Sequence, residues 1–159
     1  MLAHALVFVT VPSLWIFEEF VQLKVVIVTF SSTGDKAVKV LEGSRFNISS
    51  KDNDISITSS ADVALDVKSS YLHLKKGSSK NLTISSTASG RKDIRIRERS
   101  TVDLRDHTYA NVKVTGASYL HIENGATVTT LNCANASIIH NEGTVTNTSE
   151  CDNKNYISD

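Results

Sequence analysis

VKVTGASYLHIENGATV, residues Val112–Val128, places three apolar pairs, Val112/Val114, Leu120/Ile122 and Ala126/Val128, at nearly even intervals. Each pair is split by one polar or small residue, the period-2 signature of a strand with one buried face. TGAS and ENGA, which separate the pairs, are rich in residues that turn a chain. Three short strands joined by tight turns are therefore expected here.

The same unit returns along most of the chain, as ISI (55–57), VALDV (63–67), YLHL (71–74), NLTI (81–84), DIRI (93–96), TVDL (101–104), NVKV (111–114), YLHI (119–122), TVTTL (127–131), ASII (136–139) and TVT (144–146). The first apolar residues follow one another at intervals of 8, 9, 10, 12, 8, 10, 8, 8, 10 and 7. Every second strand gives a steadier step: 18 for 94 to 112 and for 102 to 120, 16 for 112 to 128, 18 for 120 to 138 and 17 for 128 to 145. A near-constant repeat of this kind points to a coiling chain with two strands and two turns per rung. The expected fold is all-β, a single-stranded β-solenoid (β-helix) with short rungs and an atypical N-terminal cap.

An antiparallel β-sandwich or barrel is the alternative, because it also needs alternating strands every 8 to 12 residues. Two features favour the solenoid. The strands carry only two or three inward residues, and the repeats lack the Trp anchors of a sandwich core. The chain divides into an apolar segment, 1–45, repeats at 46–147 and a polar tail, 148–159. The first segment reads as an export signal or as a cap strand or helix: MLAHALVFVTVPSLWIF is apolar up to Glu18 and Glu19 but has no basic n-region. FVQLKVVIVTF (20–30) reads as a buried strand.

With 159 residues the chain is large enough for one domain. The formal charge is zero, so no global field draws in nucleic acid, and membrane contact is expected only through the N-terminal segment. Cys133 and Cys151 lack zinc-site spacing. In an oxidising compartment they can pair, closing a loop of about 17 residues for roughly 3 kcal/mol; in a reducing one they stay thiols. Four Asn-x-Ser/Thr sequons, at Asn47, Asn81, Asn135 and Asn147, are usable in a secretory route but are no more than this Ser- and Thr-rich composition gives by chance.

SSADVALDVKSSYLHLKKGSSKNLTI and NVKVTGASYLHIENGATVTTL resemble the β-helical repeats of bacterial surface and adhesin-type proteins, including the auto-transporter adhesin head GIN domain. The resemblance covers about residues 53–147 and is one of pattern. It implies an extracellular or cell-surface, non-catalytic β-helix, and it carries over no functional residue.

The densest charge lies in RKDIRIRERSTVDLR, 91–105. With Ile94 and Ile96 inward, Arg95 and Arg97 point out beside Arg91, Lys92 and Arg99. These five residues form the candidate ligand-binding face, suited to sulfated or phosphorylated glycans. Asp93, Glu98, Asp103 and Asp106 are interspersed, so a salt-bridged surface is the competing account. His73 and His121 share one slot in YLHL and YLHI, and with His107 they are outward histidines that no pattern brings together; no metal ligand is assigned. Asp62/Asp66 and Asp103/Asp106 are the close carboxylate pairs, but short turns leave little room for groove walls. Thr127-Val128-Thr129 and Thr144-Val145-Thr146 are spaced to stack. No catalytic residue and no cofactor is expected, and the reading is a secreted binding or structural module for glycan or protein surfaces, with a polysaccharide-acting β-helix enzyme or a fibre fragment as the alternative.

Overall fold

Seventeen strands occur among the residues that the computed structural model describes, 14–17, 20–21, 27–50, 54–76, 81–134, 137–151 and 156–158, and these residues contain no helix. In chain order they are β1 (Leu14–Phe17), β2 (Phe20–Val21), β3 (Ile27–Ser32), β4 (Val38–Leu41), β5 (Arg45–Ser49), β6 (Asp54–Ser59), β7 (Leu65–Lys68), β8 (Tyr71–Lys75) and β9 (Leu82–Ser86). There follow β10 (Ile94–Arg97), β11 (Thr101–Arg105), β12 (Thr108–Val114), β13 (Tyr119–Ile122), β14 (Thr127–Cys133), β15 (Ile138–Asn141), β16 (Thr144–Ser149) and β17 (Tyr156–Ser158).

They form three open sheets. The first runs β1-β4-β7-β10-β12-β14-β16, the second β17-β15-β13-β11-β8-β5-β2, and the third β3-β6-β9. All pairings among the described residues are parallel, which excludes the antiparallel sandwich or barrel. Parallel neighbours cannot be joined by a hairpin and need a long crossover. Strands of the other sheets supply it.

The crossover length changes along the chain. From β10 onward a strand pairs with the one two places later, and Ile94 meets Val112 and Val102 meets Leu120 at the expected step of 18. Before β10 it pairs with the strand three places later, because β3, β6 and β9 are inserted as a third sheet: Val38 meets Leu65 and Leu65 meets Ile94, at steps of 27 and 29. The two-strand step thus holds only for the later part. Register also departs from expectation there, since Val112 pairs with Leu131 and Leu120 with Ile139. In β12, Tyr109 and Val112 are both buried while Ala110 and Asn111 between them face outward, and β14 repeats this with Val128 and Leu131. A corner in each strand therefore adds a residue that simple alternation does not count.

Inward side chains form columns. Phe46, Leu72, Val102, Leu120 and Ile139 are stacked in register in the second sheet and are at most 3% exposed. Val40, Val67, Ile96, Val114 and Cys133 do the same in the first. β-branched and leucine side chains fit such a pleated, two-sided environment, and burying each is worth about 1.5–3 kcal/mol. Between the first and second sheets, Ser44, Ser70, Ser100, Ser118 and Ser137 precede successive strands and are all buried. Three of the hydroxyls bond the turn that precedes them: Ser44 Oγ donates to the Leu41 carbonyl at 2.5 Å, Ser70 Oγ to Lys68 at 2.8 Å and Ser100 Oγ to Arg97 at 2.6 Å. They also link rungs, with the Ser100 amide donating to Ser118 Oγ at 3.2 Å.

Residues 14–45 contribute β1–β4 to these same sheets, while 1–13, 18–19 and 22–26 lie outside the described residues, and with them the export signal and the middle of the 20–30 strand. In the tail, β17 pairs with β15, and Cys151 is joined to Cys133 with a Cα–Cα distance of 4.6 Å. Among the sequons, Asn47, Asn81 and Asn147 are exposed, and Asn135 lies outside the described residues.

Gly143 is confined by the preceding rung: a Cβ there would sit 2.4 Å from the Ala126 carbonyl oxygen and 2.7 Å from that of Glu123. A Cβ on Gly34 meets nothing within 4 Å. In urea unfolding, Gly143→Ala should lose about 1–3 kcal/mol, whereas Gly34→Ala should stay within about 0.5 kcal/mol of the parent. Equal stability of the two variants would contradict the packing of this turn.

Candidate functional site

The predicted basic face is partly consumed by a buried carboxylate. Asp66 on β7 is 1% exposed, and β10 pairs with β7 so that Arg95 stands beside it. Arg95 Nε and Nη2 donate to Asp66 Oδ1 and Oδ2 at 2.9 and 3.0 Å, and Arg97 Nε and Nη2 reach the same oxygens at 3.1 and 2.9 Å. Burial pushes the Asp66 carboxyl up, but the two forked guanidinium contacts outweigh it and hold its pKa below the usual carboxylate range. Removing either arginine would leave an under-compensated buried charge.

The rest of the cluster disperses. Arg91 lies 3.4 Å from Asp62, which also takes the Lys36 ammonium at 2.5 Å. Glu98 pairs with Arg97 at 2.8 Å and Lys68 at 3.3 Å. Lys92 is half-buried and Arg99 exposed, and neither side chain has an ion-pair partner among the described residues. Arg99 lines a shallow open hollow with Ser69, Glu98 and Gly116. Each carboxylate of the two close pairs is engaged: Asp62 and Asp66 as above, Asp106 with Lys75 at 3.4 Å, and Asp103 in the array described next.

The second sheet presents the most connected set of titratable side chains. Strand register places Asn47, His73, Asp103, His121 and His140 in one outward column across β5, β8, β11, β13 and β15. Tyr71 donates its hydroxyl to Asp103 Oδ2, and this bond, with burial, pushes the Tyr71 pKa up to about 12. His73 Nδ1 is 3.7 Å from Asp103 Oδ2, and His121 Nδ1 is 3.7 Å from Asp103 Oδ1. Glu142 Oε1 lies 3.6 Å from His121 Nε2 and 3.8 Å from His140 Nε2. The His121 and His140 rings stack at 4.9 Å between centroids, tilted by 8°. Tyr119 Oη is 3.4 Å from His140 Nδ1, and Arg105 pairs with Glu123.

His73 and His121, read from the sequence as unconnected, therefore flank one aspartate. His107 lies apart, edge-on to Tyr109 at 4.9 Å. His140 was not among the sequence candidates, although IHNEG (139–143) repeats LHIENG (120–125) with Asn141 in the inward place of Ile122. The threonine pairs do stack, Thr127 beside Thr144 and Val128 beside Val145.

Burial lowers the pKa of His73, helped by Arg105, and Asp103 on β11 and Glu123 just beyond β13 oppose it only in part. Burial likewise lowers His107, with Lys76 adding to it. Hydrogen bonding to Lys39 lowers Asp35, and the lysine and arginine contacts lower Asp62 and Asp66 against the burial of each. In every case the unfolded chain holds the proton more tightly, so each contribution to stability is lost as pH falls. Unfolding free energy should begin to decline below the ordinary histidine value of 6.5 and fall further below the carboxylate value of 3.8. Denaturant titrations of His73→Gln/His107→Gln should show the first decline reduced and the second kept; stability rising from neutral pH to pH 5 would contradict these assignments.

Comparison with protein-family models, curated proteins and solved structures returns no match to this chain.

Proposed function

We propose that this chain is a β-solenoid acting at the cell surface or outside the cell as a non-catalytic binding and structural module, adhesin-like, for glycan or protein surfaces. The observation that carries the reading is the in-register alignment of outward side chains over successive parallel strands, as in the column Asn47, His73, Asp103, His121 and His140. Parallel register repeats a chemical group about every 4.8 Å along a face. Such a face engages a repetitive partner through many weak polar contacts whose strength comes from number. Pairing of each strand with one two or three places later supports the coiled architecture.

The Cys133–Cys151 bond supports an oxidising compartment, and exposed Asn47, Asn81 and Asn147 suit the same setting. For an acidic glycan, the cations left over from ion pairing are the contact points. Lys92 and Arg99 would bind directly, with Arg91 beside its Asp62 partner. Arg95 and Arg97, each more than a quarter exposed while holding Asp66, would add donors from the edge of the guanidinium pair.

A glycan array carrying sulfated, phosphorylated and neutral glycans tests this with two double variants, Lys92→Ala/Arg99→Ala and Arg95→Ala/Arg97→Ala, each checked for folding by circular dichroism. Acidic glycans should be retained by the parent and lost about tenfold by Lys92→Ala/Arg99→Ala. Equal retention by parent and both variants would remove the assignment of this face.

A further inference from the structure

We infer that His121, His140 and Glu142 form a binding site for a divalent first-row transition-metal ion. The site goes beyond the glycan-binding reading and requires only the pairing of β13 with β15. Three observations converge on it.

First, the donors are gathered. His121 and His140 are direct partners in parallel register, Glu142 lies two residues beyond His140, and one ligand atom of each residue falls within 4.8 Å of the others. The carboxylate oxygen is 3.6 and 3.8 Å from the two Nε2 atoms. A tetrahedral ion with bonds of about 2.0–2.2 Å sets its ligand atoms about 3.3–3.6 Å apart, so the two sides that run to the carboxylate are already close to size, and the histidine-to-histidine side lies within 4.8 Å. The rings are nearly parallel, and one imidazole must turn about χ2 to aim both nitrogen lone pairs at a single ion.

Second, the far side of each ring is occupied. His121 Nδ1 faces Asp103 Oδ1 at 3.7 Å and Glu123 Oε1 at 4.0 Å, and His140 Nδ1 faces the Tyr119 hydroxyl at 3.4 Å. Metal-bound histidines characteristically engage the second ring nitrogen with a carboxylate or similar group, which sets the tautomer and the ring direction. This turns the Nε2 side of His121 and of His140 toward Glu142. Third, His121 Nε2 is buried and has no hydrogen-bond partner. A buried polar atom in that state is costly unless something satisfies it.

Two imidazoles and one carboxylate suit Zn²⁺, Cu²⁺ or Ni²⁺ better than Ca²⁺ or Mg²⁺, which prefer oxygen sets. Glu142 is exposed, so water can complete the coordination.

The test is calorimetric titration of chelator-stripped protein with Zn²⁺ alone, and with Co²⁺ followed by its visible absorption as an independent report on coordination. One ion per chain is expected. Affinity should fall by about tenfold or more in His140→Gln and in Glu142→Gln, both on the protein surface, while His73→Gln and His107→Gln should stay within about twofold. Unchanged zinc affinity in the first two variants would overturn the assignment, as would the absence of saturable uptake by the parent up to about 0.1 mM zinc. Circular dichroism of each variant separates loss of a ligand from loss of the fold.

Discussion

Leu72, Val102, Leu120 and Ile139 stand one above another in the second sheet, each fully buried, and the rest of the molecule depends on that stacking. An apolar strand of four residues has too little surface to hide alone. Placed between two copies of itself at parallel register, it has its backbone groups paired and its side chains covered. The same register acts on the outer surface, where it lines up polar groups as strictly as it lines up aliphatic ones inside. Outward columns are a by-product of inward packing.

Charged residues inherit the same geometry. Asp66 is buried in the first sheet and is held by Arg95 and Arg97, one from the neighbouring position and one two residues further along β10. What reads in sequence as a basic cluster for an external ligand is in part the counter-charge of a carboxylate almost thirty residues earlier. The second sheet uses its column differently. There the histidines, Asp103 and Glu142 lie at ion-pair distances with few strong cations between them, so chemistry concentrates on that face.

Alternation of apolar and polar residues made the strands legible, and the turn-forming links made them short. Parallel pairing followed from the constancy of the repeat. The third sheet was not legible from step lengths, because β3, β6 and β9 look like any other apolar pair. Its signal was a different one: Phe30, Ile57 and Ile84 are each followed by two Ser or Thr residues, at equal steps of 27. The candidate metal site was hidden by a single residue of register. Matching Leu120 to Ile138 turns His140 inward, whereas the actual match, Leu120 to Ile139, sets it beside His121. A slip of one in a strand exchanges its two faces, and the sequence offers two adjacent isoleucines there, of which Ile138 is exposed and Ile139 buried. Asp66 was visible as an acidic residue, but its partners could be found only once the three-strand step was known.

The central claim is that strands of the second sheet are stacked in parallel register, and an intramolecular distance tests it most directly. Asn47 and His140 belong to one outward column with three residues between them. Four strand steps of about 4.8 Å put their backbones about 19 Å apart. Spin labels on an Asn47→Cys/His140→Cys variant, with the native cysteines joined to each other, should give a single narrow distance distribution near that value after allowance for the label arms. A broad distribution, or one centred well beyond about 30 Å, would contradict the stacking and everything built on it.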